Sequence, residues 1–251
     1  MKVIIFCGGK GTRLIEKTEF IPKPLAEIGN IPIVTHLIYR YLKYGYKDFL
    51  LLIGYKGRMI IDYIKDQKKS NFSHLKLLSH VGKELKIKPN IEYLDTGVET
   101  ELWRRLLLAR EQIKEKTFMV NYSDGLADID ITKVEEFHKK HKKSGTVVIV
   151  KPHSQYGKVL VDKRGTVNSF VEKPIETFWV NGGFFVFNRN FFKYLDEGLS
   201  NNIQPLEIAS RYGELQAFPH SGFWKCMDTF KDLNEFNEFY NKGDAKWLKF
   251  K

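Results

Sequence analysis

The chain begins with an apolar segment that runs directly into a glycine-rich loop. Residues 3–6 read Val-Ile-Ile-Phe, and residues 8–14 read Gly-Gly-Lys-Gly-Thr-Arg-Leu. Such an apolar run is typical of a buried strand, and glycine lets backbone N–H groups close around phosphate oxygens because no Cβ blocks the approach. Arg13 in the loop and Lys23, which lies between two prolines, can neutralise a polyphosphate. This pattern predicts a site at which a nucleoside triphosphate reacts.

Two known glycine-rich motifs that bind nucleotides do not match this loop. A dinucleotide-binding loop has Gly-x-Gly-x-x-Gly or Ala, but Leu14 stands here where the third small residue is needed. A P-loop has Gly-x-x-x-x-Gly-Lys-Ser or Thr, and the chain contains no such string. The loop therefore does not support a dehydrogenase or a P-loop protein.

Strand and helix patterns alternate through the first part of the chain. Apolar runs predict strands over 3–6, 48–53, 91–94, 118–122 and 146–150, and 3.6-residue periodicity predicts helices over 31–44, 58–65, 101–113 and 131–143. Such alternation predicts an α/β fold, with a Rossmann-like, mainly parallel sheet and helices on both faces. Ligands of such sheets bind at the carboxyl ends of the strands, where the glycine loop and Asp124 are expected.

The pattern changes after residue 150. Short strands are predicted over 157–161, 167–172 and 180–188, with helices over 204–211 and 229–241. We expect the three strands to form a small antiparallel lobe that covers the crevice and contacts an acceptor. No Pro/Gly/Ser linker separates the two parts, so residues 1–251 are expected to form one domain. Its nucleotide-binding half is 1–150, and its acceptor half with the last helices is 151–251.

Composition narrows the possible partners and location. The net charge is +11, but the basic residues are scattered and no nucleic-acid-binding module is present, so nucleic acid is not an expected partner. Positive potential suits acidic small molecules instead. No apolar run reaches the roughly 18 residues of a membrane span, and no signal peptide precedes the first strand. The chain has 2 cysteines, too few for a disulfide framework, and we expect a cytoplasmic protein with no membrane partner.

Several motifs together resemble a known family. Gly-Gly-x-Gly-Thr-Arg-Leu followed by Pro-Lys-Pro is similar to the signature of the sugar-phosphate nucleotidyltransferases, also called nucleotide-sugar pyrophosphorylases. The similarity covers nearly the whole chain and is greatest to bacterial glucose-1-phosphate cytidylyltransferases. Further matching segments are 53–57, 95–97, 122–125, 172–174, 181–186, 213–215, 222–224 and 227–229. The resemblance implies a GT-A-like nucleotidyltransferase fold and a homo-oligomer.

The resemblance also implies a reaction and its site residues. A sugar 1-phosphate would attack the α-phosphate of CTP and release pyrophosphate, with Arg13 and Lys23 as the catalytic cations. The expected nucleotide-binding residues are Phe6, Cys7, Gly8, Gly9, Gly11, Thr12, Arg13, Lys23, Gly97, Arg105 and Ser123. The expected acceptor-binding residues are Glu172, Lys173, Asn181 and Gly182. A salt-bridged surface position is an equal interpretation of Glu172.

Two carboxylates are the candidate magnesium ligands. Asp124 follows an apolar strand, and Asp228 follows a second apolar segment. Carboxylate, phosphate and water oxygens meet the preference of Mg²⁺. On local sequence alone, Asp124 could be a turn former before Gly125, and Asp228 could cap the next helix. Asp128 and Asp130 are expected to cap a helix rather than to bind metal.

Departures from the family pattern keep other functions open. Trp103 and Arg104 replace a glycine pair, and Gln204 replaces a glutamate that usually precedes the proline. These positions are expected near the acceptor and the base. One alternative is therefore the same chemistry with another phosphorylated acceptor or another nucleoside triphosphate. A second alternative is a non-catalytic, nucleotide-binding regulatory subunit.

Overall fold

A computed structural model describes residues 1–11, 20–65, 88–201 and 203–249. Its strands are β1 Lys2–Cys7, β2 Glu27–Ile28, β3 Ile31–Pro32, β4 Asp48–Ile53, β5 Asn90–Asp95, β6 Thr117–Tyr122, β7 Gly125–Ala127, β8 Gly145–Val150, β9 Lys158–Val161, β10 Val167–Val171, β11 Val180–Asn188, β12 Leu215–His220 and β13 Trp224–Cys226. Its α-helices are α1 Ile33–Lys43, α2 Gly57–Lys65, α3 Leu102–Leu108, α4 Ile131–His141, α5 Phe192–Ser200, α6 Pro205–Arg211 and α7 Phe230–Asn241.

The central sheet has seven strands in the order β12-β8-β11-β6-β1-β4-β5. Strands β1, β4, β5 and β6 pair in parallel, as do β8 and β12. Strand β11 is antiparallel to both of its neighbours, β6 and β8. The predicted mixed, mainly parallel sheet is confirmed.

One expectation about the second half is wrong. Residues 180–188 were expected in the antiparallel lobe, but β11 lies inside the central sheet. Its side chains explain the difference, because residues 182–187 are all buried, whereas every residue of β9 is exposed. A strand that is apolar on both faces belongs between helix layers. Of the three strands expected in the lobe, β9 and β10 pair with each other as a small antiparallel hairpin.

Two hydrophobic cores lie on opposite faces of the sheet. Alternate residues of β1 divide between them: Val3, Ile5 and Cys7 join one core, and Ile4 and Phe6 join the other. The first core includes side chains of α1, α2, α4 and α7. The second includes side chains of α3, α5 and α6. Helices therefore cover both faces, as predicted, and hold the strand ends in fixed positions.

Most predicted elements occur close to their expected bounds. Several other elements of the structure were not predicted. The helix expected over 101–113 ends at Leu108, and the segment Arg110–Gln112 is a 3₁₀ turn. Strands β2, β3, β7, β12 and β13 and helix α5 were not predicted, and the helix expected over 31–44 begins at Ile33. Among the described residues, no helix is long and apolar enough to cross a membrane.

Candidate active site

The carboxyl ends of the parallel strands meet at one edge of the sheet. Gly8 follows β1, Gly54 follows β4, Thr96 follows β5 and Ser123 follows β6. Because β11 runs the other way, its first residues lie at the same edge. A cavity of about 340 Å³ opens there, lined by Phe6, Cys7, Gly8, Gly9, Gly11, Lys23, Pro24, Thr100, Leu102, Arg105, Tyr122, Ser123, Asp124 and Asp228. The topology thus gathers residues that are far apart in the chain.

Arg105 joins the loops at this edge. Its Nη1 donates to Thr96 Oγ1 at 2.6 Å and to the Gly97 carbonyl at 2.7 Å. A Cβ at Gly8 would lie 2.2 Å from this Nη1, and a Cβ at Gly54 would lie 2.6 Å from it. Glycine at both positions therefore makes room for the guanidinium of Arg105, a residue that is only 3% exposed. Arg105 lines the cavity while its hydrogen bonds fix the surrounding loops.

Lys23 lies at the start of a 3₁₀ turn, Lys23–Leu25, between two prolines. Pro22 is extended, and its carbonyl accepts a hydrogen bond from the Leu25 N–H at 2.8 Å. The Lys23 ammonium donates to Asp124 Oδ2 at 2.8 Å and to Asp228 Oδ1 at 3.0 Å. Burial alone would lower the pKa of Lys23, but the two carboxylates outweigh it and raise that pKa above its ordinary value.

Asp124 and Asp228 are brought together by a two-stranded ribbon of β7 and β13. Cys226 of β13 pairs with Gly125 of β7, and the Met227 N–H donates to the Asp124 carbonyl at 2.8 Å. One ligand atom each from Asp124, Cys226 and Asp228 lies within 4.8 Å of the other two. The two carboxylates are oxygen donors that fit magnesium. The thiol does not fit magnesium, because sulfur selects softer cations.

The carboxylate of Asp228 is not the cap of the helix that follows it. Thr229 is the N-cap of α7, and Thr229 and Asp232 form a reciprocal capping box. Asp232 also accepts a hydrogen bond from the Asp228 N–H at 3.1 Å. The capping interpretation of Asp228 is therefore wrong, and its side chain is directed to Lys23 instead.

Of two nearby acids that were expected to cap a helix, Asp130 does so and Asp128 does not. Asp130 is the N-cap of α4 and accepts a hydrogen bond from the Lys133 N–H. Asp128 pairs with His220 at 2.9 Å. Neither belongs to the group of potential metal ligands found among the described residues.

The predicted acceptor residues fall into two places. Asn181 Nδ2 donates to the hydroxyl of the cavity residue Tyr122 at 3.2 Å, and the Gly182 carbonyl accepts from Trp224 Nε1 at 2.8 Å. These contacts place the start of β11 beside the cavity. Glu172 and Lys173 instead lie on the exposed lobe, where their charged groups are 3.8 Å apart. Among the described cavity-lining residues, neither of these two is found.

Some expected site residues cannot be placed, and some observed ones were missed. Thr12 and Arg13 lie outside the described residues, as does segment 66–87. Gly97 contributes its carbonyl to Arg105 rather than a surface of the cavity. Sequence reasoning missed Tyr122, whose position at the end of β6 was an available signal. It also missed Cys226, which is two residues from Asp228 in the chain and which the β7–β13 ribbon brings to Asp124.

Two of the three substitutions expected near the acceptor and the base, those at positions 103 and 104, lie elsewhere. Trp103 is buried in the second core, where its ring contacts Phe6 and Phe185 edge-on at 5.8 and 5.6 Å. Arg104 is exposed. Among the described residues that line the cavity, neither is present. These positions therefore give little support to a changed acceptor.

Comparison with known proteins identifies the class to which this fold and site belong. Residues 2–243 match the Nucleotidyl transferase family. The chain is 39% identical over 253 residues to a Bacillus subtilis protein named a probable glucose-1-phosphate cytidylyltransferase, covering 98% of this chain and 99% of that one. It is 36% identical over 258 residues to glucose-1-phosphate cytidylyltransferase of Salmonella typhimurium, covering 98% of each.

A solved structure supports the same fold assignment. UDP-glucose pyrophosphorylase complexed with UDP-glucose superposes with a TM-score of 0.73 at 19% sequence identity, over 96% of this chain and 98% of that one. At this identity the likeness concerns the fold alone. Taken with the sequence matches, it confirms the predicted GT-A-like architecture.

This chain belongs to the nucleotidyl transferase family. The expected enzyme class, nucleotidyltransferase, is confirmed by the same matches.

Proposed function

We propose that this protein transfers a cytidylyl group from CTP to a sugar 1-phosphate, releasing pyrophosphate and forming a CDP-sugar. Glucose 1-phosphate is the acceptor named in two relatives that each match 98% of the chain. The observation that carries the proposal is the meeting of Lys23, Asp124 and Asp228 at the wall of a cavity bounded by the glycine loop. A cation and two carboxylates beside a glycine-rich loop suit a triphosphate and its metal ion.

The proposed chemistry needs positioning more than proton transfer. An oxygen of the sugar phosphate forms a bond to the α-phosphorus, and the bond from that phosphorus to the bridging oxygen of pyrophosphate breaks. The second pKa of a phosphate monoester is about 6, so the nucleophile is already largely ionised at neutral pH. No general base is required, and the protein must hold two anions in line and offset their repulsion.

Each group at the cavity has a proposed part in this task. Backbone N–H groups of Gly8, Gly9 and Gly11 would bind phosphate oxygens, and Arg13 would stabilise the departing pyrophosphate. Lys23 would place its ammonium against the phosphates. Asp124 and Asp228 would hold Mg²⁺, which when bound neutralises phosphate charge and polarises the α-phosphate.

The acceptor side is proposed to lie at the start of β11. Asn181 donates to the hydroxyl of the cavity residue Tyr122, and Gly182 follows it in β11. Glu172 and Lys173 would reach the acceptor from the β9–β10 lobe. Through the same resemblance, we propose a cytoplasmic homo-oligomer.

A substrate panel tests the proposal. Pyrophosphate release is measured with each of the four nucleoside triphosphates against glucose 1-phosphate, other sugar 1-phosphates and other phosphorylated metabolites, with Mg²⁺ present. The proposal predicts the highest kcat/KM for CTP with a sugar 1-phosphate. Release with another pair would support the alternative substrates, and no release with any pair would favour a regulatory subunit.

A matched pair of variants tests the metal site. Asp228→Asn should lower kcat by roughly 10²-fold or more, because the site loses a charged ligand. Asp62→Asn removes an exposed carboxylate on α2 that pairs with Arg58, and it should leave kcat unchanged. Equal activity of the two variants would contradict the assignment of Asp228.

A further inference from the structure

The cluster at the cavity contains a sulfur donor beside the two carboxylates. The Cys226 thiol and the carboxylates of Asp124 and Asp228 each offer an atom within 4.8 Å of the others. Backbone geometry fixes this approach, since Cys226 is paired with Gly125 across the ribbon and the next N–H donates to the Asp124 carbonyl. The thiol is partly buried rather than free at the surface. Its position is therefore set by the fold.

We propose that Asp124, Cys226 and Asp228 form a three-donor site for a borderline-soft divalent cation such as Zn²⁺ or Cd²⁺. Thiolate ligands select such cations, whereas carboxylate oxygens also accept hard ones. Three protein donors, with a fourth position left for water or substrate, is the usual arrangement of catalytic zinc sites. The inference extends the proposed metal site but depends only on the convergence of these three residues.

Binding of such a cation displaces the thiol proton of Cys226 and the ammonium of Lys23. The S–H bond of Cys226 breaks, a sulfur–metal bond forms, and the proton passes to solvent. The Lys23 ammonium, which lies 2.8 Å from Asp124 and 3.0 Å from Asp228, must give up these carboxylates. A soft cation therefore occupies the place proposed for Mg²⁺, and it should inhibit a magnesium-supported reaction until a chelator removes it.

The binding test uses cadmium, because a thiolate–cadmium bond has an ultraviolet charge-transfer band. The full chain is treated with chelator, exchanged into buffer and titrated with CdCl₂. The chain has 2 cysteines, and Cys7 is buried at 1% exposure in the β1 strand, so two single variants assign the band. We expect a saturable band at one equivalent in the parent protein and in Cys7→Ser.

Cys226→Ser should lose the band and weaken cadmium binding by at least about 10-fold. Loss of a residue that only supports a metal ligand already costs about 10-fold or more in affinity, so loss of a ligand should cost at least as much. Its affinity for Mg²⁺ should be unchanged, since magnesium prefers the oxygen donors. Cys226→Ala serves the same purpose if circular dichroism shows that the serine variant does not fold. A band retained in the folded Cys226 variant would overturn the proposal.

Asp228→Asn separates this proposal from the proposed function. It should weaken both Cd²⁺ and Mg²⁺ binding, measured by calorimetry. If it weakens Mg²⁺ binding while Cys226→Ser leaves Cd²⁺ binding unchanged, the thiol site is refuted and the magnesium site stands. If it leaves Cd²⁺ affinity unchanged, cadmium binds elsewhere and the three-donor site is refuted.

Discussion

Lys23 is the residue on which the proposed chemistry depends most. Its flanking prolines restrict the backbone, and two carboxylates hold its ammonium at 2.8 and 3.0 Å. The charge is therefore positioned before any ligand arrives, which is the condition under which a single charged donor contributes most to a transition state.

Replacing this lysine gives a direct test. Lys23→Ala should lower kcat by roughly 10²–10³-fold, the usual effect of removing one preorganised donor. The measurement is steady-state pyrophosphate release at saturating substrates. Lys133→Ala removes an exposed lysine of α4 whose ammonium lies 3.9 Å from Asp130, and it should retain full activity. Full activity in the Lys23 variant would remove this residue from the mechanism.

At the residue scale, the sequence indicated which residues could form a site better than it indicated which residues are in contact. Lys23, Asp124 and Asp228 were found from local context and family resemblance. Cys226 was not, because nothing within its own segment indicates that it faces Asp124. That contact arises when β13 pairs with β7, and such pairing between distant short segments has no periodic signal.

The glycines of the strand-end loops illustrate how elements share space. At Gly54, an added Cβ would lie 2.5 Å from the Gly97 carbonyl oxygen, 2.6 Å from Arg105 and 2.9 Å from the Gly8 carbonyl oxygen. Backbone atoms on two other loops cannot move aside easily. At Gly9, by contrast, nothing lies within 4 Å of an added Cβ. Glycine at 54 serves the packing of the protein, whereas glycine at 9 leaves open space.

This difference predicts opposite effects of two similar substitutions. Gly54→Ala should destabilise the fold by about 1–3 kcal/mol, as overpacking does. Gly9→Ala should leave the free energy of unfolding unchanged or slightly higher. If phosphates approach the backbone at Gly9, the same variant should raise the KM for the nucleoside triphosphate. Chemical denaturation and steady-state kinetics measure the two quantities, and a normal KM for Gly9→Ala would argue against a phosphate contact there.

The longest elements of the first half were predictable and the shortest strands were not, although β12 and α5, with six and nine residues, were also missed. The apolar strands and amphipathic helices of the first half each span enough residues to show a period. Strands β7 and β13 have three residues each, too few for alternation to be recognised. The position of β11 was missed for a different reason, since a local pattern does not state which strands will be neighbours.

On the scale of the molecule, the end of the described chain is fastened to the first helix. Trp247 is fully buried, and its Nε1 donates to His36 Nδ1 at 3.3 Å. His36 Nε2 in turn bonds the Ile28 carbonyl at 3.0 Å. These two bonds require a neutral imidazole with its proton on Nε2. Complete burial lowers the pKa of His36 to about 4.

This arrangement predicts loss of stability in mild acid. An unfolded histidine has a pKa of about 6.5, so below that pH the unfolded chain takes up a proton that the folded chain excludes until its pKa of about 4. Stability from this group is therefore complete above about pH 6.5 and falls by up to about 1.4 kcal/mol per pH unit as the pH decreases toward 4.

Urea unfolding at several pH values between 7 and 4 measures the effect. His36→Gln should be less stable at pH 7 but should lose stability less steeply on acidification. Some slope should persist, because burial also lowers the pKa of His138. His153→Gln changes an exposed histidine and should keep the parent slope. An unchanged slope in the His36 variant would contradict the prediction.

The central sheet also bears on domain organisation. Strand β11 from the second half lies between β6 of the first half and β8. We therefore propose that the two halves fold as one unit, with the nucleotide and acceptor sites on a common edge.

The sequence by itself determined the kinds of most elements, and it supplied the glycine loop and the charged residues from which a nucleotidyltransferase site is predicted. These properties are encoded within a few residues, through periodicity, turn chemistry and motif spacing. Only the tertiary structure decided that β11 enters the central sheet, that Gly54 makes room for Arg105 and that Cys226 joins the two aspartates. These outcomes depend on contacts such as that between Lys23 and Asp228, which are separated by 205 positions, and such contacts form only when the whole chain packs.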